Sequence, residues 1–534
     1  MLYFQRFFIA FFICGSALAQ TPTVGLIMSS SETTGGYSLF TTELTQEVYL
    51  IDNCGRVVKK WTFNSEPGLT TYLLENGNVL LAGQDSLEIR DWNDNPIWSY
   101  ATTDNGIKQH HDIHPLPNGN VICIASEPKS QSEQYAAGRD SALISANFRM
   151  DRIVELQPIG AHGANIVWEW YFFDHLIQDY DSTKNNFGVV QLHPELIDFN
   201  FDHGYNDDWS HLNSIFFDPV LDQIIVSSRN MSELYIIDHS TTTTEAAGHA
   251  GGNAGMGGDI LWRWGNKAVY RAGGPADQRL FKQHDAKIIR DGGPQDGKIS
   301  VFNNGGDGTY SYSSINLLVP ERNGYNYLMS ATSYLPFDPE HSWNGDAVSP
   351  ILSSDKKCGV QYLPNNHKLV CDTPNGRMFE LSANDTVVWT YINPVNSTGI
   401  YAQFSVPSPT TNSIFRVHKY AETYAAFQGQ TLNPMDIIEN QNSVSAACTD
   451  YTGTEELSQD FHYANPVING QLKWSSDVPV NSMDLLNLQG QMLNTPLSLS
   501  AGQMDVRHLS SGWYVLRVQT ERGDSVHRVL IEND

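Results

Sequence analysis

The chain has 534 residues, 40% of them hydrophobic and only 17% charged, with a formal net charge of -27. So acidic a chain lacks the basic footprint that nucleic acid requires, and beyond residue 20 no apolar run is long enough to span a bilayer. An anionic ligand would need a local cluster of Arg and His to reverse the global field.

In chain order, residues 1–19 read as a signal peptide. Arg6 supplies the basic start, "FFIAFFIC" the apolar stretch and Ala17-Leu18-Ala19 the small-residue cleavage site. Five cysteines follow: Cys54, Cys123, Cys358, Cys371 and Cys448. Cys358 and Cys371 sit symmetrically about Pro364-Asn365, so a hairpin there predicts a disulfide in an exported protein. The odd count leaves at least one further thiol unpaired within the chain.

From about residue 48 a repeat emerges. "TTYLLENGNVLLAGQDSLEIRDWNDNPIWSY" (70–100) predicts four strands, with an Asn-Gly turn after the first and a tryptophan in the last. Related units begin at "HDIHPLPNGNVICIA", "HLNSIFFDPVLDQIIVSSR", "HDAKIIRDGGPQDGKISVFNNG" and "CGVQYLPNNHKLVC". The opening "VYLIDNCGRVVKKWTF" supplies two strands of a sixth unit, to be completed by circular closure. Four-stranded units repeated in this way predict an all-β six-bladed β-propeller over residues 20–440.

The register of the units singles out a set of side chains. Seven residues before the turn position lie His111, His211, His284 and Cys358, all on the strand expected to line the central channel. This register gives Cys358 a second reading, as a channel thiol. Asp112 and Asp285 follow two of the histidines, but strand alternation turns them to the opposite face, so no metal site is assigned. No cofactor is expected either. Asn213 shares a strand face with His211, and Arg229 ends the neighbouring strand, where its planar fork suits a tetrahedral oxyanion. Arg229, Asn213 and the histidines together read as an anion clamp. The insertions "SEPKSQSEQYAAGRDSA" and "GHAGGNAGMGGD" are expected to rim the mouth of the channel.

"DWSHLNSI", "IIVSSR", "GDILWRWGN", "KQHDA" and "VFNNGGD", in that order, resemble the bacterial arylsulfate sulfotransferases. The resemblance covers roughly residues 35–400. It implies an exported six-bladed propeller that moves a sulfuryl group from an aryl sulfate donor to a phenolic acceptor. It further implies that His284, in "QHDA", is the nucleophile and forms a sulfohistidine in a ping-pong cycle. His211 and Asn213 match the family's His-x-Asn pair, Arg229 its channel arginine, and the "HHD" stretch its earlier histidine, for which His111 is chosen over His110. Arg229 and Asn213 would hold the sulfuryl oxygens, and His111 or His211 would serve as acid and base. His114 has no counterpart and is expected on the solvent side of its strand.

Around Cys448 the composition turns polar, and 441–460 reads as a linker. Residues 461–534, with "NPVINGQLKW", "MDLLNLQGQML" and "GWYVLRVQTERGDSVHRVLIEND", resemble the C-terminal sorting domain of the type IX secretion system of Bacteroidetes, here a small β-sandwich. Its implied partner is the secretion machinery, and its implied destination the cell surface or the medium. A second class of function consistent with the clamp is a non-catalytic propeller that binds anionic glycans or phenolic sulfates. A quinone-dependent dehydrogenase, suggested by the Trp-bearing strands, lacks the vicinal cysteine pair such propellers usually carry.

Overall fold

The computed structural model describes residues 22–439, except 44, 66, 307, 309 and 310, and most of 461–532. The expected signal peptide and linker lie outside the described residues. The chain divides into two compact units, residues 1–450 and 451–534.

The first unit is built from six antiparallel sheets, each of which begins at one inner strand. These are β1 (Pro67–Leu73), β2 (Lys108–Pro115), β3 (Leu212–Asp218), β4 (His284–Ile288), β5 (Gly359–Tyr362) and β6 (Ile414–Tyr420). β1 continues through Val79–Gly83 and Ser86–Arg90 to Pro96–Ala101. β2, β3 and β4 each carry three further strands in chain order, ending at Gly163–Tyr171, Trp262–Trp264 and His341–Asn344. β5 carries Lys368–Asp372, Arg377–Leu381 and Val387–Ile392, and Gly25–Ser29 adds a fifth strand outside them. Each inner strand packs on the next, β1 on β2 and so on to β5 on β6, and β6 returns to β1.

The sixth sheet differs from the sequence expectation in one respect. Its order is β6, Tyr37–Thr42, Glu47–Ile51, Val57–Thr62. The N-terminal segment therefore supplies three strands and borrows only the innermost from the far end of the unit. Tyr37–Thr42 escaped the repeat because no Gly, Pro or Asn marks the turn that follows it. At those turns, Gly77 (φ 86°) and Gly119 (φ 87°) hold a left-handed conformation that costs glycine little.

The tryptophans of the outer strands have a shared task. Indole N–H groups of Trp61, Trp98, Trp170, Trp262 and Trp389 donate to backbone O of Asp91, Gly163, Gly258, Leu335 and Asn53, at 2.7–3.0 Å. Each acceptor belongs to the following sheet or its loops. A large apolar ring is thus buried between neighbouring sheets while its polar atom stays satisfied. The cores lie between neighbouring sheets: Leu80, Leu87 and Trp98 pack with Ile113 and Cys123 of the next, and Trp262 packs with Leu280 and Ile299.

In the second unit, strands Phe461–Tyr463, Gln471–Ser476, Gln503–Asp505 and Leu497–Ser498 form one sheet. Val467–Ile468, Gly523–Glu532, Gly512–Thr520, Val480–Leu486 and Met492–Leu493 form the other. They share a core of Leu472, Leu485, Met504, Leu516, Val518 and Val529.

Candidate active site

Inner strands β2, β3 and β4 open with an irregularity rather than a regular ladder. Pairing shifts register opposite His111, between Leu212 and Ser214, and between His284 and Lys287. At or beside these points His111 (φ 59°), His211 (φ 46°) and Asp285 (φ 55°) are left-handed, as is Cys358 (φ 70°) just before β5, a conformation costing a side-chain-bearing residue roughly 1 kcal/mol or more. Bulges re-aim side chains. Here they bring residues from separate sheets together at one end of the inner strands.

His284 is held on both sides of its ring. Nδ1 faces Asn304 Oδ1 at 2.7 Å and Lys282 O at 2.9 Å, both acceptors, so Nδ1 carries the proton. The Asn304 amide is oriented by its own donation to Lys357 O at 3.0 Å. Nε2 therefore presents a lone pair, and it accepts the backbone N–H of Lys357 at 3.1 Å. His284 is 2% exposed. Burial, reinforced by Arg416 and by His211 and Arg229, pulls its pKa down to about 3, so the ring is neutral.

His111 and His211 meet edge to face with ring centroids 4.8 Å apart. His111 Nδ1 lies 2.7 Å from His110 Nδ1, and His110 Nε2 lies 2.8 Å from Asp151 Oδ1. Asp151 is itself fixed by the Ser210 hydroxyl and the Leu212 N–H. Because the carboxylate only accepts, His110 donates from Nε2 and accepts from His111, which leaves His111 Nε2 with its lone pair. Burial and the neighbouring His110, His211 and His284 hold the His111 pKa well below the ordinary value. His211 donates from Nδ1 to Asp208 Oδ2 at 2.7 Å. Burial would raise the Asp208 pKa, but the bond and charge of His211, with Arg149 and His110, outweigh it and bring it to about 2.

Two cavities adjoin this cluster. One, of about 540 Å³, is lined by His110, Gln109, Lys357, Glu43 and Thr373 among others. The second, of about 580 Å³, is lined by Arg229, Tyr205, Lys282, Asn304 and Phe281 among others. Lys357 of the first and Asn304 of the second hold the two ring nitrogens of His284, which thus sits between the cavity walls. Arg229 is partly exposed, donates to Asn230 Oδ1 at 3.0 Å and lies 6.0 Å from the Tyr205 ring. Asn213 is fully buried and donates one amide hydrogen to Gln283 O at 2.7 Å, tying β3 to the residue before His284.

Several residues carry more than the sequence assigned them. Arg416 on β6 is 4% exposed, lies 2.9 Å from Asp285 Oδ1 and donates to Cys358 O at 2.8 Å. Lys357 pairs with Glu43. Asp112 and Asp285 are buried, with Asp112 accepting from Ile215 N–H and Asp285 from Val360 N–H, each on the following inner strand. Only the "DWSHLNSI" and "VFNNGGD" stretches contained Asp208 and Asn304; nothing local marked Arg416 or Lys357.

Three expectations are corrected. Cys358 and Cys371 are free, buried thiols, not a disulfide. The residue paired with Cys371 is Gly359, and the left-handed backbone of Cys358 turns its sulfur toward Thr373 N–H at 3.4 Å, while the Cys371 thiol faces Ile414 O at 3.5 Å. Cys54 is disulfide-bonded. His114 does not face solvent: it packs between Tyr72 and Phe216 of the neighbouring inner strands, because the bulge at His111 shifts the alternation that follows. Neither insertion lines either cavity. Residues 131–136 of the first form a short helix closed by a Ser130–Glu133 capping box, and the second packs beneath Trp170.

Comparison with known proteins followed the same division of the chain. A family model described as arylsulfotransferase (ASST) matches residues 19–317, more than half of the chain, and one described as a secretion system C-terminal sorting domain matches 463–532. Lys357 and Arg416 lie beyond the first match. No curated protein matches the chain. Among solved structures, a protein of unknown function from Bacteroides caccae is 11% identical, with TM-score 0.39, covering 72% of this chain and 99% of its own. A streptogramin B lyase is 10% identical, with TM-score 0.34 and coverages of 76% and 95%. The virginiamycin B lyase of Staphylococcus aureus is 9% identical, with TM-score 0.31 and coverages of 74% and 99%.

Proposed function

The chain belongs to the arylsulfotransferase (ASST) family, and from that premise we propose that it transfers a sulfuryl group from an aryl sulfate to a phenolic acceptor, with His284 as the covalent carrier. In this reading the six sheets are the blades of a propeller, closed by β6, and the site lies where the inner strands begin. The observation that carries the proposal is the fixed tautomer of His284. Asn304 and Lys282 O hold the proton on Nδ1, so a neutral Nε2 lone pair is available without prior deprotonation.

The reaction has two halves. Nε2 attacks sulfur as the S–O bond to the aryl group breaks; the electron pair leaves with the phenolate, which takes a proton from whichever of His211 and His111 enters this half as an imidazolium, leaving that ring neutral. In the second half a phenol oxygen attacks the sulfohistidine, its proton passes to the same base, and the N–S bond breaks to return neutral His284. The transition states are loose, with charge on peripheral oxygens, so positioning and electrostatics dominate. Arg229, at the cavity wall, supplies a cation to those oxygens. Asn213 keeps one amide hydrogen for them and, through Gln283 O, places the strand that carries the nucleophile. The Asp151–His110–His111 chain and the Asp208–His211 pair each hold a proton on Nδ1 and leave Nε2 to take up a proton and return it, which suits an acid–base role. The Lys357 N–H marks the position on Nε2 that the sulfur would take.

The proposal extends to the ends of the chain. Residues 1–19 direct export through the inner membrane, and 461–534, a small β-sandwich joined through 441–460, address the protein to the type IX machinery and the cell exterior. The sorting-domain match supports the second step. The test of function is incubation with 4-nitrophenyl sulfate with and without an added phenol. Nitrophenol release that depends on the acceptor is expected; no release with any acceptor contradicts the reading.

A further inference from the structure

Away from the catalytic cluster, His175, His249 and Asp259 bring three ligand atoms within 4.8 Å of one another. His175 follows the outer strand Gly163–Tyr171, whereas His249 and Asp259 bracket the glycine-rich insertion of the next sheet. Nδ1 of His175 and Nδ1 of His249 both approach the same oxygen, Asp259 Oδ1, at 2.8 Å. The other nitrogen of His175, Nε2, is 2.9 Å from Ala246 O.

That last contact decides the chemistry. A carbonyl oxygen only accepts, so Nε2 carries the proton and a neutral His175 has a bare Nδ1 lone pair. Two lone pairs, on Nδ1 and on the carboxylate, then face each other across 2.8 Å inside the protein. Either a proton lies between the two groups, on the imidazole or on the carboxyl, or a metal cation does. The backbone carbonyl on the far nitrogen is the support that metal-binding imidazoles characteristically have. The ring is otherwise locked: His175 is fully buried and stacks on Trp170 at 5.4 Å and 6°, and Trp170 in turn donates to Gly258 O. Gly258 is required here, since a Cβ would lie 2.0 Å from Ala246 O and 2.7 Å from His175 Nε2.

We propose that His175 Nδ1, His249 Nδ1 and Asp259 Oδ1 form a binding site for Zn²⁺, with a fourth position open to water. Two imidazoles and a carboxylate suit a borderline divalent ion and not Mg²⁺ or Ca²⁺, which prefer all-oxygen shells. Ligand atoms around tetrahedral Zn²⁺ stand roughly 3.2–3.5 Å apart, so occupation needs an opening of about half an ångström. His249, whose side chain is 63% exposed, can withdraw by that much, and the Asp259 carboxylate must turn as far from the fixed His175 ring. The ion would staple the glycine-rich insertion to the preceding sheet, apart from the sulfuryl-transfer site.

The test uses full-length protein without an affinity tag, stripped with EDTA, desalted and titrated with Zn²⁺ by calorimetry. One Zn²⁺ per chain with micromolar or tighter affinity is expected, with a rise in Tm on adding Zn²⁺ but not Mg²⁺. His249→Ala, on an exposed side chain, should leave the Tm in EDTA unchanged and weaken Zn²⁺ binding at least tenfold. Asp259→Asn should do the same, and His249→Ala decides the matter if that variant misfolds. Absence of binding to the unaltered chain, or equal binding by His249→Ala, overturns the site in favour of a buried, protonated imidazole–carboxyl pair.

Discussion

His284 Nε2 accepts the backbone N–H of Lys357 at 3.1 Å while Asn304 Oδ1 holds Nδ1 at 2.7 Å, so residues from two sheets fix one tautomer. Asn304→Ala removes the side-chain half of that arrangement. It should lower kcat roughly 10–100-fold, with a much smaller change in KM, because the tautomer and aim of the ring are lost rather than substrate contacts. Steady-state kinetics with 4-nitrophenyl sulfate and phenol check this; an unchanged kcat would mean that Lys282 O alone suffices.

Arg229 should behave differently. Arg229→Ala is expected to slow both half-reactions, since its charge acts on the sulfuryl oxygens in each transition state, by roughly 10²–10³-fold. Single-turnover measurements of nitrophenol release and of acceptor sulfation separate the halves. An effect on KM alone would place Arg229 in ground-state binding.

Arg416 and Asp285 form a buried pair at 2.9 Å, with side-chain exposures of 3% and 1%. Arg416→Met strands the carboxylate with Lys287 as its remaining cation and should cost about 3 kcal/mol of stability. Adding Asp285→Asn should recover part of that loss. Urea denaturation of the single and double variants measures the coupling.

Buried neutral histidines make stability depend on pH. Burial, aided by Lys287, takes the pKa of His114 down to about 3, and burial with Arg416 does the same for His284. Between pH 6.5 and 3 the unfolded chain binds protons that the folded chain does not, so their contribution is complete above pH 6.5 and falls as pH drops toward 3. His114→Phe removes one such proton, and its slope of stability against pH between 6 and 4 should be shallower by up to about 1.4 kcal/mol per unit. Equal slopes would show that His114 is protonated in the fold.

Much of this arrangement was legible in the sequence, and the failures have a common cause. The turn residues and outer-strand tryptophans marked five sheets, and the seven-residue offset found His111, His211 and His284 because each stands equally far before the turn position of its inner strand. The offset could not reveal the bulges. A single left-handed residue moved His114 inward and turned the Cys358 sulfur away from Cys371. Arg416, Lys357 and Asp151 reach the site from strands and loops far apart in the chain, on contacts that no local pattern encodes. Tyr37–Thr42 carried no turn signal at all.

Removing residues 461–534 should leave sulfuryl transfer intact, since the cluster lies wholly in the first compact unit, but retain the protein inside the outer membrane. Activity assays on the truncated chain and immunoblots of periplasm and medium check both halves. Normal release into the medium would contradict the sorting role.

The most direct measurement traps the covalent intermediate. The protein is mixed with 4-nitrophenyl sulfate alone, quenched at alkaline pH and digested for peptide mass analysis. The account predicts an addition of about 80 Da, one sulfuryl group, on His284, lost when a phenol is added before the quench and absent in His284→Asn, which should retain less than roughly a thousandth of the activity. An adduct on His111, His211 or Cys358, or an active His284→Asn, would contradict it.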